Sequence, residues 1–285
     1  MRLAEPSVPP YVDPLETIDW SAVDRECWWL PPDALSLAGV ADFEALPLPT
    51  RRRLSQYEFA HLTEAGLRLE ALFVQRLARL ASNTRDAARR ARYLGEIREE
   101  AGHGLMFLEL LRRGGVATGG GSRTASRVHD ILARSLPTRS ALFWAIVVAG
   151  EELPNRLNHR LQHGVEDVTL SAVVYRISCL HSRDEGRHAA LAREHCEEAT
   201  RRLAAWQRAA LSPLLSRLVN ALAHYLYFPP PAVYADAGLA PARLWHRRAL
   251  ANSHRRAAAG AMLEPTLAFL RRAGWRMSSR YPSTA

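Results

Sequence analysis

From Arg51 onward the chain places apolar residues at helical spacing within long Ala/Leu/Arg/Glu stretches, a texture that predicts helices rather than strands. The first helix is expected over about 51–81 and the second over about 84–113, where Gly114–Gly115 stops it. A Gly/Ser linker at 118–122 and a short helix at about 124–135, closed by Pro137, precede a third long helix over about 138–163. A fourth spans about 167–199, a fifth about 201–227 before Pro229–Pro231, and a last one about 241–273 before a polar tail. The first fifty residues read differently. They hold eight of the 17 prolines, which predicts an extended arm anchored by Trp20, Trp28 and Trp29. The expected fold class is therefore all-α: a four-helix bundle with extra helices and an extended Pro-rich N-terminal arm. The expected division is an arm at 1–50 packed on the bundle, the bundle at 51–228, and a C-terminal loop and helix at 229–285 completing the same domain.

Composition narrows this picture. Of 285 residues, 48% are apolar and 24% charged, an ordinary globular balance. No apolar run approaches the ~18 residues of a membrane span, so no membrane partner is expected. The opening MRLAEPSVPPYVDPLE has no apolar core of the secretory type. Cys27, Cys179 and Cys196 show no CxxC spacing, which excludes a thiolate zinc site and leads us to expect a reducing cytoplasm. The net charge is +9, and every basic residue is Arg. These arginines are scattered in pairs such as Arg89–Arg90 and Arg247–Arg248, without interleaved aromatics, so no nucleic-acid partner is expected.

Candidate chemistry enters through Glu-x-x-His. The Glu and His content predicts about 0.7 copies by chance, treating positions as independent, yet three are present: Glu58/His61, Glu100/His103 and Glu185/His188. This spacing puts both side chains on one helix face, where they can share a metal ion. Di-metal carboxylate bundles take one Glu from each of two helices and one Glu-x-x-His from each of the other two. Glu100/His103 falls on the second long helix and Glu185/His188 on the fourth. Glu70 supplies the lone acid on the first, and Glu151 or Glu152 on the third. The Glu58/His61 copy does not fit, because His61 lies about 180° around the helix from Glu70. It is read as a surface or interhelix residue. Glu99 and Asp184 each precede a motif and are placed to accept the second N–H of the histidine on the opposite helix. His181 shares a face with Glu185 and His188 and adds a third imidazole. Carboxylates with imidazoles suit iron or manganese.

These residues resemble the p-aminobenzoate N-oxygenase family of ferritin-like di-iron oxygenases. The resemblance rests on Glu70-Ala-Leu, on Glu99-Glu100-Ala-Gly-His103 with Leu105-Met106-Phe107, on Gly150-Glu151-Glu152-Leu-Pro-Asn155, and on His181-Ser-Arg-Asp184-Glu185-Gly-Arg-His188. It covers about 60–195. It implies the ligand set Glu70, Glu100, His103, Glu151, His181, Glu185 and His188, with Glu99, Asp184 and Asn155 in support and Glu152 either in support or in solvent. It also implies two iron ions (manganese as a substitute), O2 as co-substrate, a small-molecule substrate and an external electron donor. The activity it implies is oxygenation of an amine to a hydroxylamine or nitro product in a biosynthetic pathway. C-hydroxylation or desaturation of an acyl or lipid-like substrate stands as an alternative, with Ala141 to Ala149 lining a tunnel. Iron binding without an organic substrate stands as a second, and a homodimer is among the expected assemblies. Two departures bear on the substrate. Pro154 lies inside the third helix and should loosen or kink it. The place where the arylamine member carries an Arg is Ala65 here, with Arg68 turned about 160° from Glu70. Tyr225, Tyr227 and Pro229–Pro231 are expected to cover the mouth of the bundle.

Overall fold

A computed structural model describes residues 10–116, 137, 139–163 and 169–281. The expected linker at 118–122 and short helix at about 124–135 lie outside these residues. Among the described residues the regular structure is helical: α1 (Pro14–Thr17), α2 (Ala41–Glu44), α3 (Leu48–Asn83), α4 (Ala87–Gly114), α5 (Ala141–His163), α6 (Ala172–Arg201), α7 (Ala205–Tyr227), α8 (Pro231–Asp236), α9 (Ala242–Ala251) and α10 (Ser253–Arg272). No helix among them is long and apolar enough to cross a membrane. The fold is a ferritin-like helical bundle.

Local chemistry sets the helix ends. α3 carries Pro49 in its first turn, where a missing N–H costs nothing. The Asp86 carboxylate accepts from the N–H groups of Ala88 and Arg89 at 2.9 and 3.2 Å and starts α4. Gly115 ends α4 in the left-handed region at φ +58. α5 continues through Pro154 to His163, so the proline does not end the helix. The expected single C-terminal helix is two. Asn252 adopts an extended backbone and caps α10 by accepting from His254 N–H, while its amide donates to the carbonyls of Ser36 and Ala38 at 3.0 and 2.9 Å. The helix breaks where this side chain is committed to the arm.

α3 pairs with α4 and α5 with α6, and the two hairpins face each other across the interior. α7 and α10 cover the α5 side. The segment Ala141–Ala149, expected as a candidate tunnel wall, is packed into the apolar core beside Phe73, Leu77 and Leu191. The arm is less extended than its prolines suggest: Asp13 and Asp19 cap short turns at Pro14–Thr17 and Trp20–Ala22. Trp20, Trp28 and Trp29 are all buried. The Trp29 indole donates to the Asp24 carbonyl at 2.9 Å and sits edge-on to Phe59 of α3. Trp28 forms an isolated parallel bridge to Leu170, with Ser171 N–H donating to its carbonyl at 2.8 Å. Buried Arg255 of α10 donates to the carbonyls of Tyr227 and Ala34 at 2.8 and 2.6 Å, joining arm, α7 and α10.

Candidate metal centre

The four central helices bring Glu70 (α3), Glu100 and His103 (α4), Glu151 (α5), and His181, Glu185 and His188 (α6) into one buried cluster. One atom from each of Glu70, His103, His181 and Glu185 falls within 4.8 Å of the others, and Glu100, His103, Glu185 and His188 form a second such group. His103 and Glu185 belong to both, which gives two adjoining pockets. Glu151 meets Glu185, and Glu70 meets Glu100, as carboxyl pairs.

The contacts in this cluster are close without being well-directed hydrogen bonds. His188 Nδ1 lies 2.8 Å from Glu100, and His103 Nδ1 lies 3.4 and 3.7 Å from Glu100 and Glu185. Even so, both oxygens of Glu100, both nitrogens of His103, Glu185 Oε1 and His188 Nδ1 are buried with no hydrogen-bond partner. Buried polar atoms are costly when unsatisfied. Apart from His103 Nε2, which faces outward, these are donor atoms that converge without satisfying one another, the arrangement that two cations would complete, and the oxygen and imidazole donor set fits iron or manganese.

The outward nitrogens meet acids. His103 Nε2 lies 3.5 Å from Asp184, while His188 Nε2 lies 2.9 Å from Glu96 and 3.1 Å from Glu99. His181 has the reverse orientation: Nε2 lies 3.3 and 2.9 Å from Glu70 and Glu185, and Nδ1 meets the Asn158 amide at 2.7 Å. Arg187 spans Asp184 and Glu99 at 2.9 Å each.

Burial and neighbouring charges decide where protons sit in the cluster. Burial, then Glu100, raises Glu70 well above the usual carboxylate range, and burial, then Glu185, does the same for Glu151. Burial pushes Glu185 up, but His181 and His188 outweigh it and hold this carboxyl well below its ordinary value. Burial opposes charge on His181, yet Glu185 and Glu70 carry it to about 10. Burial is likewise overcome at His188, chiefly by Glu100, and its imidazolium is strongly favoured. At His103 burial wins and the ring is held neutral more readily than usual. Burial also works against charge on Asp184, but the contacts with His103 and Arg187 depress its carboxyl far below the ordinary range.

The sequence motifs overlooked Glu96, Asn158 and Arg187. Glu96 shares a face with Glu100 and His103 at i, i+4 and i+7, Asn158 lies two turns after Glu151, and Arg187 follows Asp184 by three. Asn155, expected in support, accepts from Ser182 Oγ at 2.8 Å, and Asn158 is the amide that meets the cluster. Glu152 is buried rather than solvated, held by Arg156, Arg193 and Thr266. His61 is interhelical: its Nε2 meets the Tyr225 carbonyl at 2.7 Å, and Glu58 accepts from Ser36 N–H at 3.0 Å. Both stand apart from the cluster.

Beside the cluster lies a cavity floored by Glu70, Glu151, His181 and Glu185, with Phe59, Phe107 and Tyr227 in its walls. Gly66 lets the Phe107 ring approach α3, since a Cβ there would come within 2.9 Å of the ring. From the C-terminal part of the chain, Leu226 and Tyr227 close one side.

Comparison with known proteins agrees with this geometry. The family described as P-aminobenzoate N-oxygenase AurF matches residues 1–274. Uncharacterized proteins of Mycobacterium tuberculosis and Mycobacterium bovis are each 24% identical over 241 residues, covering 82% of this chain and 70% of theirs.

Proposed function

With the chain belonging to the p-aminobenzoate N-oxygenase (AurF) family, we propose that it is an O2-dependent di-iron oxygenase acting on the nitrogen of a small organic amine. The observation that carries this reading is the buried set of four carboxylates and three imidazoles set directly against an apolar cavity. An iron-handling protein without an organic substrate has no use for such a cavity at its metal face.

Glu70, Glu100, Glu151 and Glu185 with His103, His181 and His188 would hold two iron ions, which supply the redox chemistry with O2. In the overall conversion one oxygen atom enters the N–H bond of the amine to give a hydroxylamine. The other leaves as water, formed with two protons and two electrons from an external reductant. This chain's own contribution is placement. Glu99 is hydrogen-bonded to the outward nitrogen of His188, and Asp184 faces that of His103 at 3.5 Å, so the two acids orient the rings. Asn158 does the same for His181. The apolar walls exclude water from the substrate nitrogen. Anaerobic loading with Fe(II) is expected to give close to two ions per chain, and admission of O2 with a reductant and an arylamine is expected to give hydroxylamine or nitro product by mass spectrometry. One zinc per chain without iron uptake, or iron oxidation with no organic product, would refute this.

A further inference from the structure

A file of rings runs from the cluster toward one end of the bundle. Phe73 follows Glu70 by three residues on α3, and His195 follows His188 by seven on α6. Tyr93 precedes Glu100 by seven on α4, and Trp144 precedes Glu151 by seven on α5. Spacings of three and seven keep each ring on the ligand-bearing face of its helix. The rings touch in order. Phe73 meets the His188 imidazole edge-on with centroids 6.1 Å apart, and Trp144 meets Phe73 edge-on at 6.2 Å. The His195 imidazole stacks on Trp144 at 4.4 Å, and the Tyr93 hydroxyl reaches His195 Nε2 at 3.3 Å. Phe73 and Trp144 are fully buried, whereas His195 is half-buried.

The outer end of the file opens into a second hollow. Tyr93, Trp144 and His195 line this space of about 220 Å³ together with Arg89, Arg139 and Arg202 and a single acid, Glu198. Glu198 is already paired with Arg202, and all three arginines are exposed. The hollow therefore offers positive charge to solvent directly over the rings. It is distinct from the cavity beside the cluster. Phe107, which meets His181 at 5.1 Å, lines that cavity, and Phe73 does not.

We propose that the hollow receives a small anionic one-electron donor, and that Trp144 and Phe73 relay its electrons to the metals through His188. This assignment rests on the di-iron oxygenase reading above and deepens it. Electron tunnelling weakens steeply with distance and passes better through packed atoms than across gaps. The rings give continuous contact from the hollow to an imidazole of the cluster. Returning two ferric ions to the ferrous state takes two electrons, and each comes from one donor that is oxidised by one electron. No bond in the protein forms or breaks.

The test uses full-length protein loaded with iron and oxidised, then mixed without O2 or amine with one of two donors. Dithionite delivers its electrons through the sulfur dioxide radical anion, whereas reduced methyl viologen is a cation. Loss of ferric absorbance in a stopped-flow instrument gives the rate. Trp144→Leu and Phe73→Leu are expected to slow reduction by both donors several-fold, and Trp144→Phe, which keeps a ring, to restore most of the rate. Phe143→Leu is the control: this ring is equally buried and also touches Trp144, at 5.4 Å, but lies off the route, so the rate should hold. The double substitution Arg139→Gln with Arg202→Gln is expected to slow dithionite roughly tenfold and to leave methyl viologen unaffected. In metal-free protein, the same pair of changes should weaken calorimetric binding of ferrocyanide roughly tenfold. Unchanged rates in Trp144→Leu and Phe73→Leu, or equal slowing in Phe143→Leu, overturn the relay. Unchanged dithionite rate and ferrocyanide affinity in the arginine variant overturn the donor site, and this arm needs no substitution in the core. Elemental analysis separates these results from the reading beneath them: protein that takes up no iron overturns the di-iron reading, and failure to oxidise an amine leaves these rates untouched.

Discussion

His103 on α4 turns its outer nitrogen to Asp184 on α6, and His188 on α6 turns its own to Glu99 and Glu96 on α4. This exchange is pinned by one guanidinium, Arg187, which reaches both Asp184 and Glu99. Removing it frees two acids at once. Arg187→Met is therefore expected to lower metal affinity on the order of 10–100-fold, as loss of an outer partner does, measured by competition with a chelator. The three Glu-x-x-His histidines should separate cleanly. His103→Ala or His188→Ala should lose one metal by elemental analysis. His61→Ala, which loses its hydrogen bond to the Tyr225 carbonyl and its ring contact with Tyr225, should keep both metals and cost about 1–3 kcal/mol of stability. Equal metal loss in all three would contradict the assignment of helix faces. At this scale the seven clustered residues were legible because the order Glu then Glu-x-x-His recurs on two helix pairs. Glu96 and Arg187 were not, because single charges at helical spacing ordinarily lie on solvated faces. Glu152 hides its role in partners from three helices, of which only Arg156 is near it in sequence.

Among the elements, the long helices follow from apolar spacing and stop signals, and Gly115 ends α4 where the Gly114–Gly115 pair predicts, whereas the start at Asp86 comes two residues later than expected. The break between α9 and α10 was illegible because Asn252 is called out of the helix by two carbonyls of the remote arm. The arm itself docks on a surface shaped to receive it. At Gly114, the last residue of α4, a Cβ would stand 2.4 Å from the Trp29 ring, which is itself fully buried. Gly114→Ala should therefore destabilise by about 1–3 kcal/mol through overpacking, read as a lowered thermal midpoint together with a shift in tryptophan fluorescence. Gly150→Ala is the contrasting case. Its Cβ would meet Leu69 at an ordinary 3.5 Å, so stability should change little.

For the molecule as a whole, the cluster couples metal loading to pH. Glu70, Glu151, His181 and His188 all bind protons more tightly in the metal-free fold than in an unfolded chain. Each therefore contributes stability that is present at low pH and is lost as pH rises through its elevated value. The metal-free protein should show a falling thermal midpoint from about pH 6.5 toward about 10, the range over which His181 is displaced. Two divalent ions replace those protons, so the loaded protein should not share that decline, and loading near neutral pH should acidify a weakly buffered solution. A midpoint independent of pH in the metal-free form would show that the protons are not held there. The arm adds a constraint of another kind. Trp28 pairs with Leu170, a residue just before α6, the last of the four cluster helices. Trp29, by contrast, meets Phe59 of α3, only thirty residues further along the chain, so the arm is tied down by one near contact and one remote one. The near contact can form as soon as α3 does, whereas the bridge to Leu170 must wait for the segment after α5, and deleting residues 18–30 should slow refolding more than it alters the metal ligands.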